Sequence, residues 1–174
     1  MDYKACSCGK PSETDFKHLG SLCDACFKDV IYRRCRKALK DSGWLERGQK
    51  VHLAVSESLQ GRVLETLFKQ VVKGLPLEYT AESPEVVVVG KTADDEAEEF
   101  LDDLFSGNIN AKSRAINLFS NISEKEIQKF CEFEGIKGSL LPKSELRKQL
   151  DELEKKYPGT FFSLQKSRES FIKQ

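Results

Sequence analysis

The 174-residue chain predicts an α/β fold with a parallel sheet, and three observations carry that reading. Residues 51–55 and 86–89 are short apolar runs without polar alternation, the pattern of strands covered on both faces. Each is followed by a helix-period stripe: Val63, Leu64, Leu67, Phe68, Val71 and Val72 after the first, and Ala97, Phe100, Leu101, Leu104 and Phe105 after the second. Strand, helix, strand and helix in that order require crossover connections, so the strands run parallel.

The elements follow in order. Four of the six cysteines fall in the first 26 residues, as Cys6-x-Cys8 and Cys23-x2-Cys26. Two close cysteine pairs separated by 14 residues form the ligand pattern of a zinc ribbon, each pair giving two thiolates to a tetrahedral Zn2+. Gly9 suits the tight turn after Cys8. The first pair is one residue shorter than the usual C-x2-C knuckle, which leaves His18 as an alternative ligand. A helix over residues 24–41 carries Phe27, Ile31, Cys35 and Leu39 on one stripe. Arg33, Arg34, Arg36, Lys37 and Lys40 lie off that stripe, a solvated face or a surface for nucleic-acid phosphates. Gly43 and Gly48 punctuate a linker around Trp44, dividing a ribbon unit at 1–45 from an α/β unit at 46–174.

Past the first strand, Ser56-Glu57-Ser58-Leu59-Gln60-Gly61 stands where many α/β proteins hold a phosphate, but with an acid at its mouth and its one glycine at the far end. Residues 74–85 break the periodic pattern and read as a loop. Thr92 with Asp95 caps the next helix, and Ser123 with Glu126 caps a later one containing Ile127, Phe130 and Cys131. A third strand is expected around residues 116–119. A longer helix follows Pro142 with Leu146, Leu150, Leu153 and Tyr157 inward, Pro158-Gly159 stops it, and a short helix closes the chain. Cys35 and Cys131 sit on apolar stripes and read as core residues.

The formal charge is zero, yet unevenly spread: residues 1–50 have 11 Lys/Arg against 7 Asp/Glu, and residues 78–104 have 10 acids against Lys91 alone. No apolar run approaches the roughly 20 residues of a membrane span. The first ten residues show no apolar stretch of a signal peptide, so a cytoplasmic location without membrane partners is expected.

Three passages together resemble the N-type PP-loop ATP pyrophosphatases that 2-thiolate tRNA uridines, the TtuA-like and cytosolic thiouridylase families. The cysteine pairs running into "CFKDVIYRRCRKAL" are similar to their zinc-binding start. "GKTADDEAEEFLDDLFSGN" resembles their G-H-N-x-D-D-E-A helix, with Gly90, Asp94, Asp95, Glu96 and Ala97 in place, and "YPGTFFSL" resembles their C-terminal segment. The resemblance implies a Rossmann-like PP-loop fold, trimmed to about four strands with helices on both faces, behind an N-terminal zinc ribbon.

The departures shape what is expected of activity. The family's phosphate loop is S-G-G-x-D-S; here Ser56 matches, while Glu57 and Ser58 replace both glycines and Gln60 and Gly61 replace the acid and the last serine. Glycines there let backbone N–H groups close on pyrophosphate, and a glutamate adds charge of the wrong sign. The family's mid-chain cysteines are missing, and Leu140-Leu141-Pro142 stands where a late cysteine would precede proline. The expectation is therefore a pseudoenzyme with a vestigial nucleotide loop and acidic motif. It would carry structural Zn2+, no iron–sulfur cluster and no ATP, bind tRNA, and support a catalytic PP-loop paralogue in a heteromer. The competing expectations are a freestanding zinc-ribbon RNA-binding or regulatory protein, and an enzyme with a shifted phosphate site near Asp94 and Asp95.

Overall fold

A computed structural model describes residues 5–43, 45–107 and 115–172, without the side chains of Glu169 and Ile172. Trp44 and residues 108–114 lie outside the described residues. The N-terminal segment folds as a small hairpin, β1 (Thr14–Phe16) and β2 (Gly20–Leu22) pairing antiparallel with Phe16 opposite Gly20. The chain leaves β2 directly into α1 (Asp24–Ser42), which ends where Gly43 takes a left-handed φ of 61°. Phe27, Ile31 and Cys35, spaced by four, are all fully buried. Phe27 stacks on Phe16 of the hairpin at 5.6 Å and meets the edge of Phe133 at 5.8 Å, so the hairpin clasps the same helix that enters the main core.

The main sheet comprises β3 (Lys50–Leu53), β4 (Glu78–Tyr79), β5 (Val86–Val89) and β6 (Ile116–Asn117), all parallel in the order β4-β3-β5-β6. From β3 the chain crosses through α2 (Leu59–Val71) to β4 on one side; from β5 it crosses through α3 (Ala93–Ser106) to β6 on the other. Right-handed crossovers in opposite directions put α2 and α3 on opposite faces. The core is divided accordingly. Val51, Val86, Val88 and Ile116 are buried with α1, α2 and α4 (Glu124–Glu134), around Phe68, Phe119 and Phe130. A smaller cluster of Ala97, Leu150 and Phe161 joins α3 to α5 (Glu145–Lys156) and α6 (Thr160–Ile172). Each fully buried phenyl ring contributes about 1.5–3 kcal/mol by leaving water.

Both predicted capping boxes form: Thr92 with Asp95 at α3, and Ser123 with Glu126 at α4. β4 is a strand where the pattern read as a loop. Its two residues are exposed at the sheet edge, so apolar alternation had nothing to mark. Two inward stripes also end early: Leu104 and Phe105 are 40% and 74% exposed, and Leu153 and Tyr157 are exposed, because these helix ends run past their packing partners. Among the described residues, no helix is long and apolar enough to cross a membrane.

Candidate metal centre and switch-point crevice

The sulfurs of Cys6, Cys8, Cys23 and Cys26 lie within 4.8 Å of one another, with Cys8 and Cys23 at 3.6 Å. Four Zn–S bonds of ~2.3 Å in a tetrahedron separate their sulfurs by about 3.8 Å, so the spacing fits a single tetrathiolate metal with little adjustment. The local chain is shaped for this. Gly9, at φ 84°, donates to the Cys6 carbonyl at 2.8 Å and turns the strand back, which lets the short C-x-C pair face the second pair. Cys23 is the N-cap of α1 and Cys26 lies in its first turn, at the end of the helix dipole that favours thiolates. The thiols crowd one another: backbone N–H groups of Cys8 and Cys23 bring Cys6 down to about 6, while its three neighbours push Cys26 up to about 12. A cation between them would favour the thiolate form of the group. Soft thiolate donors select zinc or iron, and a spacing this short suits one ion.

His18 is not in the group. Its Nε2 lies 3.0 Å from Oε1 of the fully buried Glu126, which also takes Arg34 Nη1 at 2.9 Å, so His18 joins the hairpin to the start of α4. Burial would raise the Glu126 carboxyl, but the His18 hydrogen bond and the Arg34 charge outweigh it and hold it below its ordinary value. Of the five α1 cations read as an RNA surface, Arg34 is thus tied inside the fold, bonding Asn121 O as well. Arg33 pairs with Asp29 at the surface. Arg36 and Lys40 flank a groove shared with α2, and Lys37 is exposed. Cys35 and Cys131 are buried, and burial pushes their thiols up to about 12 and about 11, as inert core residues.

The second site follows from topology. The strand order reverses between β3 and β5, and the region beyond their carboxyl ends, termed the crevice below, is where open α/β sheets bind ligands. It is bordered by residues 54–58, by the start of α3, and by residues 137–139. Gly61 lets the loop fold onto its helix: a Cβ there would stand 2.2 Å from the Ser56 carbonyl oxygen. Ser58 caps α2 by accepting from Gly61 N at 3.2 Å, and its Oγ meets Ser56 Oγ at 2.6 Å. Leu59 N donates to Ser139 O at 2.9 Å, and Arg62 Nη1 to Lys137 O at 3.1 Å, so residues 137–139 lie across the mouth of the helix. Glu57 is exposed at its rim.

On the far side Gln60 Nε2 donates to Asp95 Oδ2 at 3.1 Å, linking the loop to α3. Sequence reasoning missed the group beneath. Arg147 of α5, 2% exposed, reaches Asp94 at 3.2 Å, Asp95 at 3.3 Å and Glu124 at 3.1 Å, with Glu98 and Asp151 at 3.6 Å. One guanidinium therefore clamps the N-termini of α3 and α4 to α5. Asp94 also accepts from Glu124 N at 2.8 Å. Its burial raises its pKa to about 6 although Arg147 opposes the shift. The only sequence sign of Arg147 was a cation within an amphipathic helix.

No protein-family model and no curated protein sequence matches the chain. Among solved structures it is similar to the U34-tRNA thiolase NcsA from Methanococcus maripaludis, determined with its 4Fe–4S cluster. The TM-score is 0.82 at 20% identity, over 100% of this chain and 88% of that one. At that identity the likeness establishes the fold, a Rossmann-like thiolase fold with a parallel four-stranded sheet flanked by helices. It also corrects two expectations drawn from the altered loop and the missing cysteines. A pseudoenzyme without an iron–sulfur cluster does not stand: the fold is that of an enzyme holding such a cluster, and this chain gathers four cysteines of its own. The altered loop and the absent mid-chain cysteines were too narrow a basis, because the four cysteines able to carry metal lie outside the sheet.

Proposed function

We propose that this chain is an enzyme component of tRNA uridine thiolation, with Cys6, Cys8, Cys23 and Cys26 holding a thiolate-bound metal centre and tRNA as its nucleic-acid substrate. The observation that carries the reading is the full-length likeness to a tRNA thiolase in a chain whose four thiols converge on one point. Bound as a single Zn2+, for which the sulfur spacing is already suited, the group would fix the hairpin against α1; an iron–sulfur core, whose thiolates sit on separate irons, would need the two cysteine pairs to spread and would add sulfur and redox chemistry.

The chain's own residues supply the rest. Arg33 and Lys37, on the outer side of α1 beside the cysteine hairpin, take tRNA phosphates; the Arg33–Asp29 pair is a surface pair that exchanges readily. The crevice receives the uridine or the group that activates it. Ser56 offers an exposed hydroxyl there, held by the buried Ser58 Oγ, and Gln60 is oriented by Asp95. The crevice has no cysteine of its own, since Cys35 and Cys131 are buried in the core. Sulfur must therefore be delivered to the crevice from outside it.

The test is made in the source cell: the gene is deleted, and nucleosides from total tRNA are analysed by mass spectrometry. A thiolated uridine lost on deletion and restored by the parent gene, but not by a Cys23→Ser/Cys26→Ser variant, is the expected result. An unchanged nucleoside profile would overturn the reading. Anaerobic purification with metal analysis and visible absorption then tells zinc from iron–sulfur, and a native pull-down reports any partner thiolase.

A further inference from the structure

Two surfaces of this molecule are left unsatisfied, and each offers what the other needs. Beyond the last turns of α1 and α2 opens a groove of about 290 Å3, floored by Leu39, Leu45, Val71 and Leu75. Arg36, Lys40 and Lys73 line it as well, and none of the three forms an ion pair among the described residues. The occupant must therefore be apolar at its centre and acidic around it. A cavity of about 150 Å3 already takes benzene, so this one has room for a phenyl ring and more.

At the other pole, the last turn of α3 projects Phe105, 74% exposed, and Leu104, 40% exposed. Asp102 and Asp103 precede them. Asp102 is exposed and makes no ion pair among the described residues, while Asp103 reaches Arg168 at 3.5 Å. The last turn of α3 has no basic residue, so these carboxylates stand at the negative end of the helix dipole with little compensation. A cation from outside would be favourable there.

The two surfaces cannot meet within one molecule, because α1 and α2 lie on one face of the sheet and α3 on the other. We propose that they meet between molecules. The α3 end of one copy (Asp102, Leu104, Phe105) seats in the α1–α2 groove of a second copy, the ring on the aliphatic floor and the carboxylates among Arg36, Lys40 and Lys73. The contact is heterologous, head to tail, and propagates as a ring where the rotation between copies closes and as a filament where it does not. Its small area places it among weak, salt-sensitive associations. The aliphatic floor sets this occupant above a phosphate backbone, which would leave the floor exposed. The inference stands apart from the tRNA reading, since it rests on surfaces that reading does not use.

Sedimentation equilibrium of the full, metal-loaded chain under reducing conditions tests it. The apparent mass should rise with protein concentration and fall with added salt. Phe105→Glu removes the projection and Lys40→Glu/Lys73→Glu reverses the groove; circular dichroism checks that both remain folded, as exposed positions allow. Each variant alone should stay monomeric where the parent associates. An equimolar mixture of the two should form a dimer and stop there, since one variant keeps only a groove and the other only a projection. A parent that is monomeric throughout overturns the proposal. So does a mixture that fails to dimerise, or an association that ignores both variants. A parent that stays monomeric while Lys40→Glu/Lys73→Glu loses RNA binding would overturn it in favour of RNA as the occupant.

Discussion

At the scale of single residues, the buried charges at the crevice set how the fold responds to pH. Asp94 is 4% exposed and its pKa is raised to about 6 by burial, against an ordinary 3.8. Between those values the native state holds a proton that the unfolded chain has released, so rising pH lowers stability across that window. The cost is complete above about pH 6. Asparagine at this position keeps an acceptor for Glu124 N and stays neutral. Urea unfolding of the parent and of Asp94→Asn should therefore show the parent losing on the order of 2 kcal/mol relative to the variant between pH 4 and pH 7. A pH-independent difference would sink the assignment. Glu126 and Glu99 act in the opposite sense: both are held below their ordinary values, by hydrogen bonds and charges that outweigh burial, so their stabilisation is lost as pH falls. Comparing the parent with Asp94→Asn, rather than reading the parent's curve alone, isolates Asp94. Arg147 shows why some of this was not readable from sequence. Its partners Asp95 and Glu124 lie 52 and 23 residues away, and a cation in a helix gives no sign of what it meets.

At the scale of elements, whatever depends on local chemistry was legible. Thr92-x2-Asp95 and Ser123-x2-Glu126 form their caps because both halves of a capping box lie within one helical turn. The cysteine pairs converge because a hairpin returns the chain over 14 residues. Illegible were β4, which has no buried side chain to mark it, and the placement of residues 137–139 across the mouth of α2, which is a backbone contact. Gly61 is the element-scale residue that most constrains the crevice. In Gly61→Ala a methyl group would stand 2.2 Å from Ser56 O and 2.4 Å from Ser56 N, both main-chain atoms that cannot step aside alone. The loop must shift, at a cost of about 1–3 kcal/mol. Urea midpoints would register that loss, and hydrogen exchange would show the residue-61 amide losing its Ser58 partner. A variant as stable as the parent, with that amide still protected, would mean the loop is softer than its packing implies.

At the scale of the whole molecule, α1 belongs to two structures at once: its first turn carries Cys23 and Cys26, and Phe27, Ile31 and Cys35 enter the core of the sheet. Metal bound at its head should therefore stabilise the entire fold. A ligand at 100 times its Kd adds about 2.7 kcal/mol, and each kcal/mol moves Tm by about 2–4 °C in a chain of this size. Stripping the metal, or replacing Cys26 by serine, should lower the single calorimetric transition by several degrees, with metal analysis run in parallel. A transition that ignores the metal would show the hairpin to be energetically separate.

The same shared helix imposes an order on biosynthesis. All four clustered cysteines and the whole of α1 leave the ribosome before residue 43, whereas the strand that completes the sheet ends at Asn117. At about 5–20 residues per second, the apolar side of α1 waits on the order of 4–15 s for the surface that will cover it. During that interval the metal is the first stabilising partner the nascent chain can acquire, so the thiols meet the cell's metal supply, and its oxidants, before the rest of the fold exists to shield them.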